Sequence, residues 1–143
     1  MNLLDERSKQ ALLTRLRQIP IFDTLGMRIE EFGEGFCKAV VPHDLRYDGV
    51  AGSFHGGLLM TAADSMACYA IMTQTGPDER LTTTDMNIRF LAPCFTDVTV
   101  VAKVIKLGRT LCPVAIDLFD AKGIQVAVAQ VTYIRLSKMP DRR

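Results

Sequence analysis

Apolar and polar positions along the chain divide it into one amphipathic helix, one wholly apolar helix and six strands. Before Pro20, residues Leu3, Leu4, Ala11, Leu12, Leu16 and Ile19 fall on roughly one helical face, with charges elsewhere. That predicts a short amphipathic packing arm, ended by Pro20. Residues 26–32 and 35–41 read as two strands joined through Gly33 as a hairpin. Residues 42–54 are polar and glycine-bearing, hence a loop. From residue 56 to about 75 the chain is apolar nearly all round, with Leu58, Leu59, Met60, Ala62, Ala63, Met66, Ala67, Tyr69, Ala70 and Ile71. A helix of that kind belongs inside something. Gly76-Pro77-Asp78 stops it.

Four strands follow. In 81–91 the alternation places Thr82, Thr84, Met86, Ile88 and Phe90 on one face and Thr83, Asp85, Asn87 and Arg89 on the other. Residues 97–107 are mostly β-branched. Residues 110–120 turn at Ala121-Lys122-Gly123 into 123–136, where Ile124, Val126 and Val128 alternate against Gln125, Ala127 and Ala129. Pro113 predicts an edge strand or a bulge. An antiparallel sheet curled round the buried helix is the economical α+β solution for this order of elements.

Composition narrows the function classes. With 143 residues, the chain has the size of one domain, and 48% hydrophobic content supplies a core. A net charge of +1 gives no field that would draw nucleic acid or an anionic membrane. Arg142 and Arg143 read as a solvated tail. The longest apolar run, residues 56–72, is interrupted by Asp64 and is too short to span a bilayer. MNLLDERSKQ is charged too early for a secretory signal, so a cytoplasmic protein is the expectation. Cys37, Cys68, Cys94 and Cys112 show no CxxC spacing, and His43 and His55 complete no zinc pattern, so no metal is expected. Each cysteine sits among apolar residues and reads as a buried free thiol. A catalytic cysteine with His55 as its base is the alternative.

Candidate chemistry concentrates in Ser53-Phe54-His55-Gly56-Gly57-Leu58-Leu59-Met60-Thr61-Ala62-Ala63-Asp64. Two glycines open the apolar helix, where unbonded N–H groups and the helix dipole suit an oxyanion. Asp64 is the lone carboxylate of that helix. Burying it unpaired is costly, so it has either a structural partner or a catalytic task, such as that of a general base. His55, immediately before the glycines, is expected to fix the turn and add polarity. Gly56 and Asp64 are eight residues apart, roughly 12 Å along a helix axis. Both must lie within about 3 Å of one reacting centre. One helix does not supply both, so a site using the two must combine two subunits.

HGGLLMTAAD, followed by TTDMNIRFLAP and the turn KLGRT, resembles the phenylacetate-pathway (PaaI-type) hotdog thioesterases over residues 21–136. The resemblance implies a hotdog fold: a sheet wrapped round the central helix, with a short N-terminal helix before it. Residues 1–20 then form the amphipathic arm, 21–137 the thioesterase domain and 138–143 a tail. It implies acyl-coenzyme A as substrate, no cofactor, and homodimers or homotetramers with composite sites, without nucleic-acid or membrane partners. Asp64 then activates water or attacks the thioester, the Gly56 N–H holds the oxyanion, and His55 is a neighbouring polar contact. Gly57 and Thr83 lie by the reacting centre. Lys106, Gly108, Arg109 and Thr110 fall where the coenzyme's phosphates bind, although the same turn reads equally as a charged hairpin. One departure stands out: Gly49 occupies the position, six before the histidine, where many relatives carry asparagine, and Asp48 beside it is out of register. The alternatives to hydrolysis are a non-catalytic acyl-CoA sensor and an enoyl-CoA hydratase. The sensor would need a DNA-binding segment, and the hydratase a carboxylate and histidine paired on one substrate face.

Overall fold

The computed structural model describes residues 4–136. Two helices open the chain, α1 over Glu6–Leu16 and α2 over Pro20–Thr24. A hairpin of β1 (Arg28–Gly33) and β2 (Phe36–Val41) leads through a 3-10 turn at Leu45–Tyr47 into the long helix α3, Gly56–Thr75. Strands β3 (Leu81–Phe90), β4 (Val98–Val104), β5 (Leu111–Phe119) and β6 (Gln125–Arg135) complete it. All six form one sheet in the order β1-β2-β4-β5-β6-β3, with every neighbouring pair antiparallel. The α+β sheet-round-helix arrangement expected from the sequence is what forms. Strands β1 and β3 are its two edges.

One face of the sheet is laid against α3. Val98, Val100 and Ala102 of β4 and Val114, Ile116 and Leu118 of β5 are fully buried beside Ala62, Ala63, Met66, Ala67 and Ala70 of the helix. The alanines let sheet and helix approach closely, and each buried Val, Ile or Leu contributes about 1.5–3 kcal/mol. Leu12 and Leu16 of α1 belong to the same core. Among the described residues no helix is long and apolar enough to cross a membrane.

Several boundaries and faces differ from the sequence reading, each for a local reason. Helix α1 begins after Asp5, whose Oδ1 accepts the Ser8 amide at 2.8 Å, and it ends at Leu16, before Pro20. Pro20 opens α2, because a first-turn proline lacks only an amide that has no helical partner anyway. Gly33 is the last residue of β1, paired with Phe36, and the turn falls on Glu34 and Gly35. Gly35 takes the left-handed conformation (φ +69°) that only glycine adopts freely. Pro113 lies in an interior strand. Its carbonyl accepts from Ile105, just beyond the last β4–β5 pair, Val104 with Val114, so its missing amide removes no regular ladder bond. In β6 it is Ala127, Ala129, Val131 and Tyr133 that face α3, and Val128 that faces out. Residues 138–143, including Arg142 and Arg143, lie outside the described residues.

Strand β3 holds the most consequential difference. Thr83 pairs with Tyr133 and Asp85 with Thr132, leaving Thr84 as an extra residue. Its hydroxyl bonds to the Thr132 carbonyl at 3.1 Å. A bulge of this kind reverses the alternation. Leu81 and Thr83 therefore face inward on one side of it, and Met86 and Ile88 on the other. Regular alternation had put Thr83 on the outer face.

Candidate active site

The loop from Pro42 to His55 is a built structure that delivers the start of α3. The His43 amide donates to Asp97 Oδ1 at 2.8 Å, the His43 ring stacks on Phe54 with centroids 5.5 Å apart, and His43 Nε2 bonds to Asp48 Oδ1. Asp48 also forms a backbone bridge to Phe54. Gly49 donates to Ser53 O at 2.8 Å, and Gly52 donates back to Gly49 O at 3.0 Å. The Phe54 amide ties the segment to Cys94 O at 2.7 Å. Asp48 is thus engaged by His43.

His55 is the N-cap of α3. Its Nδ1 accepts the Gly57 amide at 2.9 Å. A bond in that direction requires Nδ1 to be unprotonated, so a neutral ring carries its proton on Nε2. The cap also explains Gly57: a Cβ there would stand 3.0 Å from the His55 ring. At Gly56 a Cβ would meet the Phe90 ring at 3.2 Å. With Gly57 engaged by the cap, the Gly56 N–H makes no hydrogen bond among the described residues. It sits at the positive end of a helix of 20 residues. Gly56, Ser53, Phe54, Leu59, Phe90 and Leu91 line a cavity of about 380 Å³.

Asp64 lies two turns further along α3, on the side facing the β3–β6 edge. Thr83 Oγ1 donates to Asp64 Oδ1 at 2.6 Å. The Tyr133 hydroxyl lies 3.0 Å from the same oxygen and 2.9 Å from the Asp64 carbonyl. Burial, then the neighbouring Cys68, raises the Tyr133 phenol well above the usual tyrosine range, so it stays protonated and donates. Oδ2 makes no such bond among the described residues. Cys68, one turn along, is pushed up to about 12, by burial first and then by the Asp64 carboxylate. A thiol in that state is a poor nucleophile.

The β4–β5 loop is the other candidate region. Lys106, Arg109 and Thr110 are exposed. Gly108 is held from beneath by Arg135, whose Nη1 donates to the Gly108 carbonyl at 3.3 Å while its Nε donates to Glu79 Oε1 at 2.9 Å. Thr110 O accepts the Arg135 amide at 2.8 Å. Among the described residues no group of three or more His, Cys, Asp or Glu side chains could hold a metal ion.

A sequence model of the thioesterase superfamily matches residues 51–127, more than half of the chain. The chain belongs to the thioesterase superfamily. The matched stretch holds the His55-Gly56-Gly57 turn, Asp64, Thr83 and the β4–β5 loop. Human acyl-coenzyme A thioesterase 13 is 30% identical over 104 residues, covering 70% of this chain and 71% of that protein. Among solved structures, the Escherichia coli PaaI protein of the phenylacetic acid degradation operon superposes with a TM-score of 0.83 at 23% identity, covering 92% of this chain and 95% of that one. A mutant thioesterase of Pseudomonas aeruginosa does so with a TM-score of 0.80 at 26% identity, covering 94% and 97%. The fold is the hotdog fold of PaaI-like thioesterases, and the coarse activity goes with the family: the chain is a thioester hydrolase.

Of the residues singled out in the sequence, the structure brings Thr83 to Asp64, and His55 to Gly57 through the helix cap. It keeps Gly56 apart from Asp64 on one helix, and leaves Lys106 and Arg109 on a separate loop. Tyr69 turns into the core edge-on to Phe22, centroids 6.1 Å apart. Sequence reading missed Tyr133 and the His43–Asp48 pair. The signal for Tyr133 was its register in β6, hidden because the smaller alanines occupy the inward face. The His43–Asp48 pair has no periodicity to reveal it.

Proposed function

We propose that the chain hydrolyses acyl-coenzyme A thioesters in composite sites made by two copies of itself. The observation that carries this reading is the pairing of a hydroxyl-held carboxylate, Asp64, with an open amide, Gly56, on the same helix. At eight residues' separation they lie about 12 Å apart along the axis, too far to serve one carbonyl. The sheet offers the remedy. Among the described residues strand β3 is an edge with no outer partner, with Phe90 51% and Leu91 56% exposed at its end, and such an edge is a template for another chain. On it, Thr83 marks the Asp64 end and Phe90 the Gly56 end. Two-fold antiparallel pairing of β3 with the same strand of a second copy runs the Thr83 end of one along the Phe90 end of the other. The Asp64 carboxylate of one copy and the Gly56 amide of the other then face one pocket.

In that pocket Asp64 takes a proton from water as its oxygen adds to the thioester carbon. The carbonyl electrons move onto oxygen, which the partner's Gly56 amide stabilises. Collapse expels the thiolate, which takes the proton back from Asp64. Acyl-CoA and water become a carboxylic acid and free coenzyme A. His55 holds the turn that presents the amide. Lys106, Arg109 and the backbone of Gly108 and Thr110 suit the nucleotide phosphates, being exposed, cationic and fixed from below by Arg135. The four free cysteines fit a reducing compartment and support a cytoplasmic site of action.

The test is thiol release from a panel of acyl-CoAs. Turnover is expected, with Asp64→Asn slower by at least about a hundredfold. Wild-type rates in a folded Asp64→Asn protein would overturn the assignment, and sedimentation of an active monomer would overturn the composite site.

A further inference from the structure

Asp64 is held by two hydroxyls on neighbouring strands, and the second of them points to a further role. Thr83 on β3 and Tyr133 on β6 are directly opposite each other across the sheet and both face α3. Thr83 donates to Asp64 Oδ1 at 2.6 Å, and the Tyr133 hydroxyl lies 3.0 Å from that same oxygen. Tyr133 is only 6% exposed, and its ring is packed in the core. The phenol also reaches the Asp64 backbone carbonyl at 2.9 Å, so its single hydrogen is shared between the main-chain and side-chain oxygens of one residue. A carboxylate bonded through one hydroxyl alone keeps freedom to turn about its terminal torsion, which is broad and nearly two-fold. Anchors from two strands remove that freedom.

We propose that Tyr133 is a positioning residue for hydrolysis: with Thr83 it fixes Oδ1 of Asp64, leaving Oδ2 as the oxygen that faces water and substrate. This rests on Asp64 being the base. Tyr133 touches neither water nor substrate and transfers no proton; its phenol keeps its hydrogen throughout. The role does not depend on which acyl group is bound. It belongs to the chemical step, because a misplaced base slows proton abstraction without loosening the hold on the nucleotide or the acyl chain.

The experiment is Tyr133→Phe in the full-length protein, which keeps the ring and removes only the hydroxyl. With a turned-over acyl-CoA, kcat is expected to fall about ten- to a hundredfold, while KM stays within about twofold. The same substitution placed in Asp64→Asn is expected to add no further loss, since residues acting through one group are not additive. A merely structural tyrosine would lower thermal stability and the active fraction, but with kcat referred to the folded fraction it would leave kcat unchanged. An unchanged kcat in Tyr133→Phe, or a full additional loss in the Asp64→Asn background, overturns the role of Tyr133 while Asp64 stands. Normal turnover by Asp64→Asn itself overturns the base assignment and the positioning role together.

Discussion

The carbonyl oxygen of Leu111 stands 2.0 Å from where a Cβ on Gly108 would be. No side chain fits there without moving the backbone of the β4–β5 loop, and the Arg135 contact to Gly108 O would move with it. Gly108→Ala is therefore expected to destabilise the protein by roughly 2 kcal/mol, within the range for enforced backbone displacement. Urea unfolding measures this. A stability equal to wild type would show that the loop yields freely.

Arg109→Ala tests the same loop for function. If its cation meets a nucleotide phosphate, KM for acyl-CoA rises while kcat stays within a few-fold, because the contact is equally strong before and during bond breaking. The effect shrinks at high salt and disappears for an acyl-pantetheine, which lacks the nucleotide. An unaltered KM on the full coenzyme at low salt would return this loop to the status of a solvated hairpin.

Thr83→Val removes the shorter of the two bonds to Asp64 Oδ1. A hydrogen bond to a charged group is worth about 1.5–3 kcal/mol, so kcat should drop by roughly ten- to a hundredfold. Thr83→Ser keeps the hydroxyl and should stay within a few-fold. Equal activities for the valine and serine variants would refute the contact's importance.

Cys68 gives the stability a pH dependence. Its thiol is raised from 9.0 to about 12 in the folded chain, by burial first. Above 9.0 an unfolded chain sheds this proton while the folded one keeps it, so unfolding is favoured. The stabilisation is full below 9.0 and is lost as pH rises through the interval to about 12. Tyr69 and Tyr133, both raised by burial, add to the same fall at higher pH. Urea midpoints should decline steadily above about pH 9, less so in Cys68→Ala. A flat profile, or identical slopes in the two proteins, would contradict the burial of this thiol.

Much of the fold was legible because it is written in repeating patterns. Helix α3 runs from Gly56 to Thr75 as its apolar run indicated, stopped by Gly76, whose φ of +96° no other residue adopts easily. The motif residues of the turn were legible too, because their types are unusual where they stand. Features that break a pattern were not. A single extra residue at Thr84 reverses the faces of β3, Pro20 begins a helix where it was expected only to end one, and Ala127 and Ala129 point inward where the larger Val128 would be guessed. Tyr133 and the His43–Asp48 pair depend on tertiary neighbours that no local window contains.

The bulge in β3 falls within a run of three identical residues, Thr82, Thr83 and Thr84. Sliding a strand by one position normally swaps every side chain to the opposite face. Here a slip would bring forward Thr82 or Thr84, and the carboxylate on α3 would still meet a hydroxyl. The run makes the supply of that hydroxyl insensitive to where the extra residue settles.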